Sequence, residues 1–146
     1  MLDNTDRLIL KELLNNSRIT MRELGERVHL SGQAAANRVM KLEDNGIIDG
    51  YTINLNREKL GTNIHVMITI TLTKMDNHNS YLTFINEQER YVLHNYKTGG
   101  SGCYIIEAIF PSNEILDSFL IELNKYVNYK VNIIFKDTIK NNGCFL

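Results

Sequence analysis

The chain has 146 residues, which is enough for one large domain or two small ones. It carries 16 lysines and arginines against 17 aspartates and glutamates, a net charge of −1, and 43% of its residues are hydrophobic. These values exclude a chain-wide basic surface for nucleic acid, and every apolar run is shorter than the ~20 residues of a membrane-spanning helix.

The first predicted element is a helix from about Asn4 to Asn15. Asp3 stands as its N-cap, Asp6 follows three positions later as in a capping box, and leucines and isoleucines recur at helical spacing. A secretion signal would begin with basic residues and continue with an apolar run, whereas this N-terminus is acidic. We therefore expect a cytoplasmic protein.

Two further short helices are predicted before residue 50. Thr20 and Glu23 form a second capping box, which opens a helix through Val28. Ser31 is the N-cap candidate of a third helix, which Asn45-Gly46 ends with a left-handed turn. Two capped helices separated by such a short turn have the layout of a helix-turn-helix.

The hydrophobic pattern changes near residue 50 from helical spacing to alternation. We place a helix-turn-helix domain at residues 1–50, a linker at 51–62 with a strand over Gly50–Leu55, and a second domain at 63–146. The second domain should form a ferredoxin-like βαββαβ sheet with two helices on one face, which makes the fold class α+β. Its predicted elements are strand Ile64–Thr73, a helix around Tyr81 ending near Gln88, strands Tyr91–Lys97 and Cys103–Phe110, a helix capped by Ser112, and strand Lys130–Thr138.

One predicted strand of the second domain is apolar on both sides. Along Cys103–Phe110, Ile105 and Ile109 point away from Ile106 and Phe110, a pattern typical of a strand that is buried on both faces. Because two helices can cover only one face of the sheet, a second copy of the chain is the expected cover of the other. We predict at least a homodimer.

The third helix carries side chains suited to reading DNA on the face opposite its apolar positions. Glutamine and asparagine can pair with adenine, whereas arginine and lysine can meet guanine or phosphate. Between Arg18 and Lys41, five basic residues stand against two acidic ones, a local surplus of three positive charges that the chain total conceals. The predicted DNA-binding residues are Arg18, Arg22, Ser31, Gln33, Ala34, Asn37, Arg38 and Lys41.

Two long stretches carry a family resemblance, LDNTDRLILKELLNNSRITMRELGERVHLS and NRVMKLEDNGIIDGYTINLNREKLG. Over essentially its full length the chain resembles the Lrp/AsnC (leucine-responsive, feast-famine) family of bacterial and archaeal transcription regulators. The resemblance implies a sequence-specific DNA-binding regulator with an N-terminal helix-turn-helix (winged-helix-like) domain, whose recognition helix falls on Ser31–Asn45, and a ferredoxin-like effector-binding and oligomerising domain. The motifs that carry it are Leu2-Asp3, Asp6, Arg18, Glu23-Leu24, Ser31, Arg38-Val39, Leu42-Glu43, Gly46-Ile47-Ile48 and Tyr51.

The resemblance also implies partners. Family members bind double-stranded DNA and assemble from homodimers into higher oligomers, an octamer in this reading. In the family, a glycine turn between the second and third strands of the ferredoxin-like domain helps to form an amino-acid site, and Gly100 matches that glycine. Ser101 and Cys103 stand where many members have aspartate. The candidate effector residues are Gly100, Ser101, Gly102 and Cys103, and a flexible hairpin turn is the alternative reading of the same glycine-rich stretch.

Other functions remain as alternatives to gene-specific regulation. An architectural protein that wraps DNA would use the same helix, and a small-molecule sensor acting through protein partners would use the helical domain only for assembly. An enzyme is the weakest alternative, because the four histidines are scattered and no nucleophile, acid and base come together in any known motif. The two cysteines are too far apart for a CxxC metal or redox motif. Together with the scattered histidines, this spacing leads us to expect no catalytic residue, no metal and no cofactor.

Overall fold

The computed structural model describes residues 2–61, 63–72, 77–100 and 103–138. The chain divides into two compact units, with the boundary between Asn54 and Leu55. None of the helices within these ranges is both long enough and apolar enough to cross a membrane.

The first unit contains three helices, α1 (Asn4–Asn15), α2 (Met21–Arg27) and α3 (Gly32–Asp44). The predicted cap residues are confirmed. The Asp3 side chain accepts a hydrogen bond from the backbone N–H of Asp6 at 2.8 Å, and the Asp6 side chain accepts one from the N–H of Asp3 at 3.1 Å. The Thr20 and Ser31 hydroxyls accept bonds in the same way at the starts of α2 and α3, so each cap satisfies an otherwise unpaired N–H of its helix.

The helices enclose a small apolar core and a tight connection between α2 and α3. An alanine Cβ at Gly25 would lie 2.7 Å from the Leu30 carbonyl oxygen, so only glycine lets the backbones approach this closely. The turn contains His29 in the left-handed region, at φ 58°. The buried residues are Ile9, Leu13, Ile19, Leu24, Val28, Ala35, Val39 and Leu42.

The strand predicted over Gly50–Leu55 is wrong for the single chain. Residues 51–56 are irregular in structure, and all six are exposed. Tyr51, Ile53 and Leu55 do alternate with polar residues, but alternation makes a strand only where a second strand offers backbone partners. The described part of the chain places no strand beside this segment.

The second unit has the predicted ferredoxin-like order and topology. Its four strands form one antiparallel sheet in the order β2-β3-β1-β4, and the apolar side chains beneath α4 and α5 form its core. The elements are β1 (Ile64–Thr71), α4 (His78–Asn86), β2 (Val92–Lys97), β3 (Tyr104–Phe110), α5 (Asn113–Leu123) and β4 (Asn128–Ile134).

Several element bounds differ from the predictions by a few residues, and two of the differences have a local cause. The helix predicted around Tyr81 begins at His78, and the sequence does not mark this start because the first turn of the helix is polar and shows no apolar spacing. The last strand runs over Asn128–Ile134 rather than Lys130–Thr138, since Ile134 already pairs with His65, the second residue of β1, and only Ile64 of that strand lies beyond the pair.

The sheet has one face under the helices and one open face. Val66, Ile68 and Ile106 are fully buried toward the helices. The alternate residues of β1 and β3 lie on the opposite side, and there the His65 Nε2 and Glu107 Oε1 atoms are 2.8 Å apart. The open face also carries Met67, Thr69, Ile105 and Ile109.

Candidate nucleic-acid interface

The outward face of α3 presents two amides, one thioether and one ammonium group. Gln33, Asn37, Met40 and Lys41 are exposed and lie at helical spacing opposite the buried Val39. The Gln33 Nε2 donates to the Asn37 Oδ1 at 3.1 Å, which holds the two amides side by side. An exposed helix with adjacent amides has the shape and the donors and acceptors needed to reach base edges in a major groove.

Ser31 and Ala34 lie at the beginning of the same helix. The Ser31 hydroxyl accepts a hydrogen bond from the Ala34 N–H at 3.1 Å, so this side chain already serves the helix as its cap. Ala34 is half-buried and adds only a methyl group to the surface. Both residues are therefore suited to letting the helix end approach DNA closely rather than to reading bases.

Arg38 is held inside the first unit by two carboxylates of α1 and its cap. Its Nη1 lies 2.7 Å from the Asp3 Oδ2 and 2.7 Å from the Asp6 Oδ1. These two acceptors raise the pKa of Arg38, and the pKa of Asp3 is lowered by the Asp6 backbone N–H and by the guanidinium. These two ion pairs connect α3 to the beginning of α1 through the Arg38 side chain.

Ion pairs also involve two of the other four basic residues of the predicted surplus, Arg22 and Arg27. Arg27 contacts Glu12 and Glu23 at 2.8 and 2.7 Å, while Arg22 contacts Glu26 at 3.2 Å with both side chains largely exposed. Exposed ion pairs of this kind contribute at most about 1 kcal/mol to stability. The Arg22 side chain can therefore leave Glu26 and bind a phosphate instead. Within the described ranges, Arg18 and Lys41 are the basic residues of this stretch without an ion pair.

Comparison with known proteins decides the family. Residues 2–49 match the winged helix-turn-helix DNA-binding family. The chain is 54% identical over 134 residues to the HTH-type transcriptional regulator LrpA of Bacillus subtilis, an alignment that covers 92% of this chain and 98% of the relative. This chain belongs to the Lrp/AsnC family of transcriptional regulators.

Solved structures of Lrp/AsnC proteins share the whole fold. AsnC of Escherichia coli superposes with a TM-score of 0.84 at 26% identity over 97% of both chains. A transcriptional regulator of Neisseria meningitidis, solved as a complex with L-Met, superposes with a TM-score of 0.87 at 26% identity over 96% of this chain and 94% of its own. The resemblance read from the sequence is confirmed, and the chain is a DNA-binding transcriptional regulator, not an enzyme.

The glycine-rich loop predicted from the sequence as the effector turn is described only at its ends. Gly100 is exposed with φ +105°, a left-handed conformation that favours glycine. The half-buried Cys103 donates its N–H to the Ile70 carbonyl at 2.8 Å, which fixes the end of the loop to β1. The predicted effector residues Ser101 and Gly102 lie outside the described residues.

Two features of the first unit were missed by sequence reasoning. Met40 lies on the outward face of α3 and is 55% exposed. From sequence alone, an apolar residue beside the core residue Val39 would be expected in the core. The Tyr51 hydroxyl donates to the Glu43 Oε1 at 2.7 Å, which ties the segment after α3 back to that helix. Although the residue is exposed, partial desolvation of the hydroxyl together with the Glu43 carboxylate raises the pKa of Tyr51 to about 12. The Gly46-Ile47-Ile48-Asp49-Gly50 turn signal before Tyr51 could have indicated this return.

Proposed function

We propose that this regulator reads DNA with Gln33, Asn37 and Lys41 of α3, while Arg18 and Arg22 bind phosphates. The observation that carries the proposal is the exposed, pre-arranged pair of amides beside an unpaired lysine on one helix face. Ser31, Ala34 and Arg38 serve the same interface indirectly, since Ser31 caps the helix and Arg38 fixes it to α1. This division changes the expectation for Arg38, whose loss should weaken the unit rather than remove a base contact.

The test compares single variants on one selected duplex. Wild-type protein is used to enrich a binding sequence from randomised duplexes, and Kd is then measured by gel shift for Gln33→Ala, Lys41→Ala and Arg18→Ala. Each should bind more weakly, and Lys41→Ala and Arg18→Ala should also reduce the salt dependence of binding. Lys125→Ala, in the turn just after α5, removes the same charge from the second unit and is the matched control. Variants of α3 that bind as the control does would refute the assignment.

Footprinting on genomic fragments tests gene-specific control against DNA wrapping. One short protected site supports local control, whereas long protection with a helical repeat supports an architectural protein. Gene-specific regulation is the function we propose, because the two amides on α3 are groups that distinguish bases rather than only backbone.

We infer that the open sheet face forms a homodimer. It carries the half-buried side chains of Met67 and Ile105 around the His65–Glu107 pair, and α4 and α5 both pack on the other face. Paired copies would bury this apolar surface and would also give residues 51–56 of two chains a chance to pair as strands. The expected higher oligomer, an octamer by family resemblance, would be built from such dimers.

Light scattering tests this assembly. Ile105→Arg places a charge at the half-buried centre of the open face and should reduce the measured mass to that of smaller species. Ile121→Arg, on an exposed position of α5, is the control and should leave the mass unchanged. An unchanged mass for Ile105→Arg would refute the face as an interface.

We also propose that an amino acid is the effector. The L-Met complex of the Neisseria meningitidis regulator and the left-handed Gly100 at the start of the corresponding loop support it. Backbone N–H groups of residues 100–102 and the Ser101 hydroxyl are the proposed contacts, with Cys103 at the loop end. Light scattering and calorimetry with a panel of amino acids test the proposal, and absence of any heat or mass change across the panel would refute it.

A further inference from the structure

We propose that Met40 is a specificity-determining residue whose side chain packs against the C5 methyl group of a thymine in the major groove. The inference rests on the proposed function, in which α3 enters that groove. Met40 follows Gln33 by seven residues and Asn37 by three, so the three side chains share one stripe of the helix. The amides and the thioether would therefore meet neighbouring base pairs.

The exposure of Met40 is unusual for its helix. The other large apolar residues of α3, Val39 and Leu42, are buried in the unit's core, whereas Met40 is 55% exposed. The large hydrophobic residues that are exposed elsewhere in the described part of the first unit lie on α1 or after α3, namely Leu8, Leu14, Ile47, Tyr51 and Ile53. Among the described residues of α3, Met40 is the exposed large apolar side chain, and it lies among the polar side chains of the outward face.

The major groove offers one apolar group to such a side chain. Base edges present donors and acceptors, and the C5 methyl of thymine is the exception. Methionine is unbranched and polarisable, so it can follow the groove wall and adjust to the methyl position. Ala36, one turn before Met40, is small and leaves room for that approach.

Arg38 does not share this stripe of side chains, which leaves an apolar contact as the means of base recognition beside Met40. Its guanidinium is bound to Asp3 and Asp6 at 2.7 Å, so it is turned toward α1 and is not placed to read guanine beside Met40. The stripe consequently combines amides with a thioether, and base discrimination at the Met40 position must come from an apolar contact.

Uracil substitution isolates the thymine methyl in the test. The duplex selected with wild-type protein is resynthesised with each thymine replaced in turn by uracil, which removes the methyl group and keeps every hydrogen-bonding group. Burial of one methyl group corresponds to about a fourfold change in Kd. We expect wild-type protein to lose about that factor at one thymine position of each half-site and to bind the other uracil duplexes as before.

The same duplexes are then measured with Met40→Ala and with Leu8→Ala. Met40→Ala should bind the thymine duplex about fourfold more weakly, and at the sensitive position it should no longer distinguish thymine from uracil. Leu8→Ala removes an apolar side chain of similar exposure, 49%, from α1 and should keep the full discrimination. Thermal melting of both variants checks that the fold is intact.

The results separate failure of this inference from failure of the proposed function. If Gln33→Ala and Lys41→Ala weaken binding but Met40→Ala still discriminates against uracil as wild type does, α3 reads DNA and the Met40 contact is wrong. If Met40→Ala changes the mass in light scattering, Met40 belongs to an interface between copies and the inference is equally overturned. If none of the three α3 variants changes Kd, the proposed DNA face itself is wrong.

Discussion

Replacing Gly25 should destabilise the helix-turn-helix, because the backbone before α3 packs directly against this position of α2. A Cβ at this position would lie 2.7 Å from the Leu30 carbonyl oxygen and 2.9 Å from the Ser31 carbonyl carbon. These neighbours are backbone atoms that cannot rotate away. The Gly25 carbonyl also accepts the Leu30 N–H at 2.8 Å, so a shift that relieves the clash would strain this bond of the turn.

The expected cost of Gly25→Ala follows from two opposing effects. Forcing an extra carbon into a well-packed site costs about 1–3 kcal/mol. Alanine in place of a helical glycine returns about 1 kcal/mol through its higher helix propensity. Since the clash is with backbone, we expect the upper part of the first range and a net loss of about 1–2 kcal/mol in the free energy of unfolding.

The assay is denaturant unfolding of the full chain followed by circular dichroism, together with Kd for the selected duplex. DNA binding should weaken as well, because the displaced turn changes the position of α3 relative to α2. Gly50→Ala is the matched control, since that glycine has open space around its Cα and no left-handed φ. The steric argument is refuted if Gly25→Ala unfolds at the wild-type denaturant concentration, or if Gly50→Ala loses as much.

Three further outcomes are expected. His29→Gly should raise the free energy of unfolding by up to about 1 kcal/mol in chemical denaturation, because φ 58° is strained for histidine, and a lower value would contradict this. Arg38→Ala should lower the melting temperature at neutral pH. Because Arg38 helps to depress the pKa of Asp3, that deficit is present above the ordinary pKa of Asp3 and should shrink as pH falls below about 4, whereas a pH-independent deficit would exclude the ion pair as its cause. Tyr51→Phe should lower the melting temperature near pH 8, because it removes the hydrogen bond to Glu43. Since the pKa of Tyr51 is raised to about 12 in the folded protein, the difference in melting temperature between variant and wild type should disappear between about pH 10 and 12, and thermal melting across this range tests it.

The caps could be predicted from sequence because each one is local. Asp3 with Asp6, Thr20 with Glu23, and Ser31 all act within three residues, and all three helices begin where these signals place them. The order of elements in the second unit was predictable for the same reason, since alternation and helical spacing are properties of short segments. The family motifs then supplied the function.

What could not be predicted depends on partners that are distant in sequence. The acceptors of Arg38 lie 35 and 32 residues before it, so an exposed arginine on a recognition helix looks like a DNA contact until the fold brings α1 alongside. The end of β4 is likewise set by the length of β1, which pairs with it. Alternation after Gly50 predicted a strand, but pairing requires a neighbouring strand, and the described residues of the single chain place none beside this segment.

The number of basic residues in the first unit overstates the positive charge that the folded unit can offer to DNA. Counted along the chain, Arg18 to Lys41 carries a surplus of three positive charges, but Asp3, Asp6 and Glu12 lie outside that stretch and pair with it. Arg18 and Lys41 are then the unpaired cations of this stretch within the described ranges. So few phosphate contacts give one unit little affinity, because each contributes through the release of about one counterion. We therefore expect tight binding to require several units acting on one DNA, which makes the proposed oligomerisation through the second unit a requirement of function rather than an accompaniment to it.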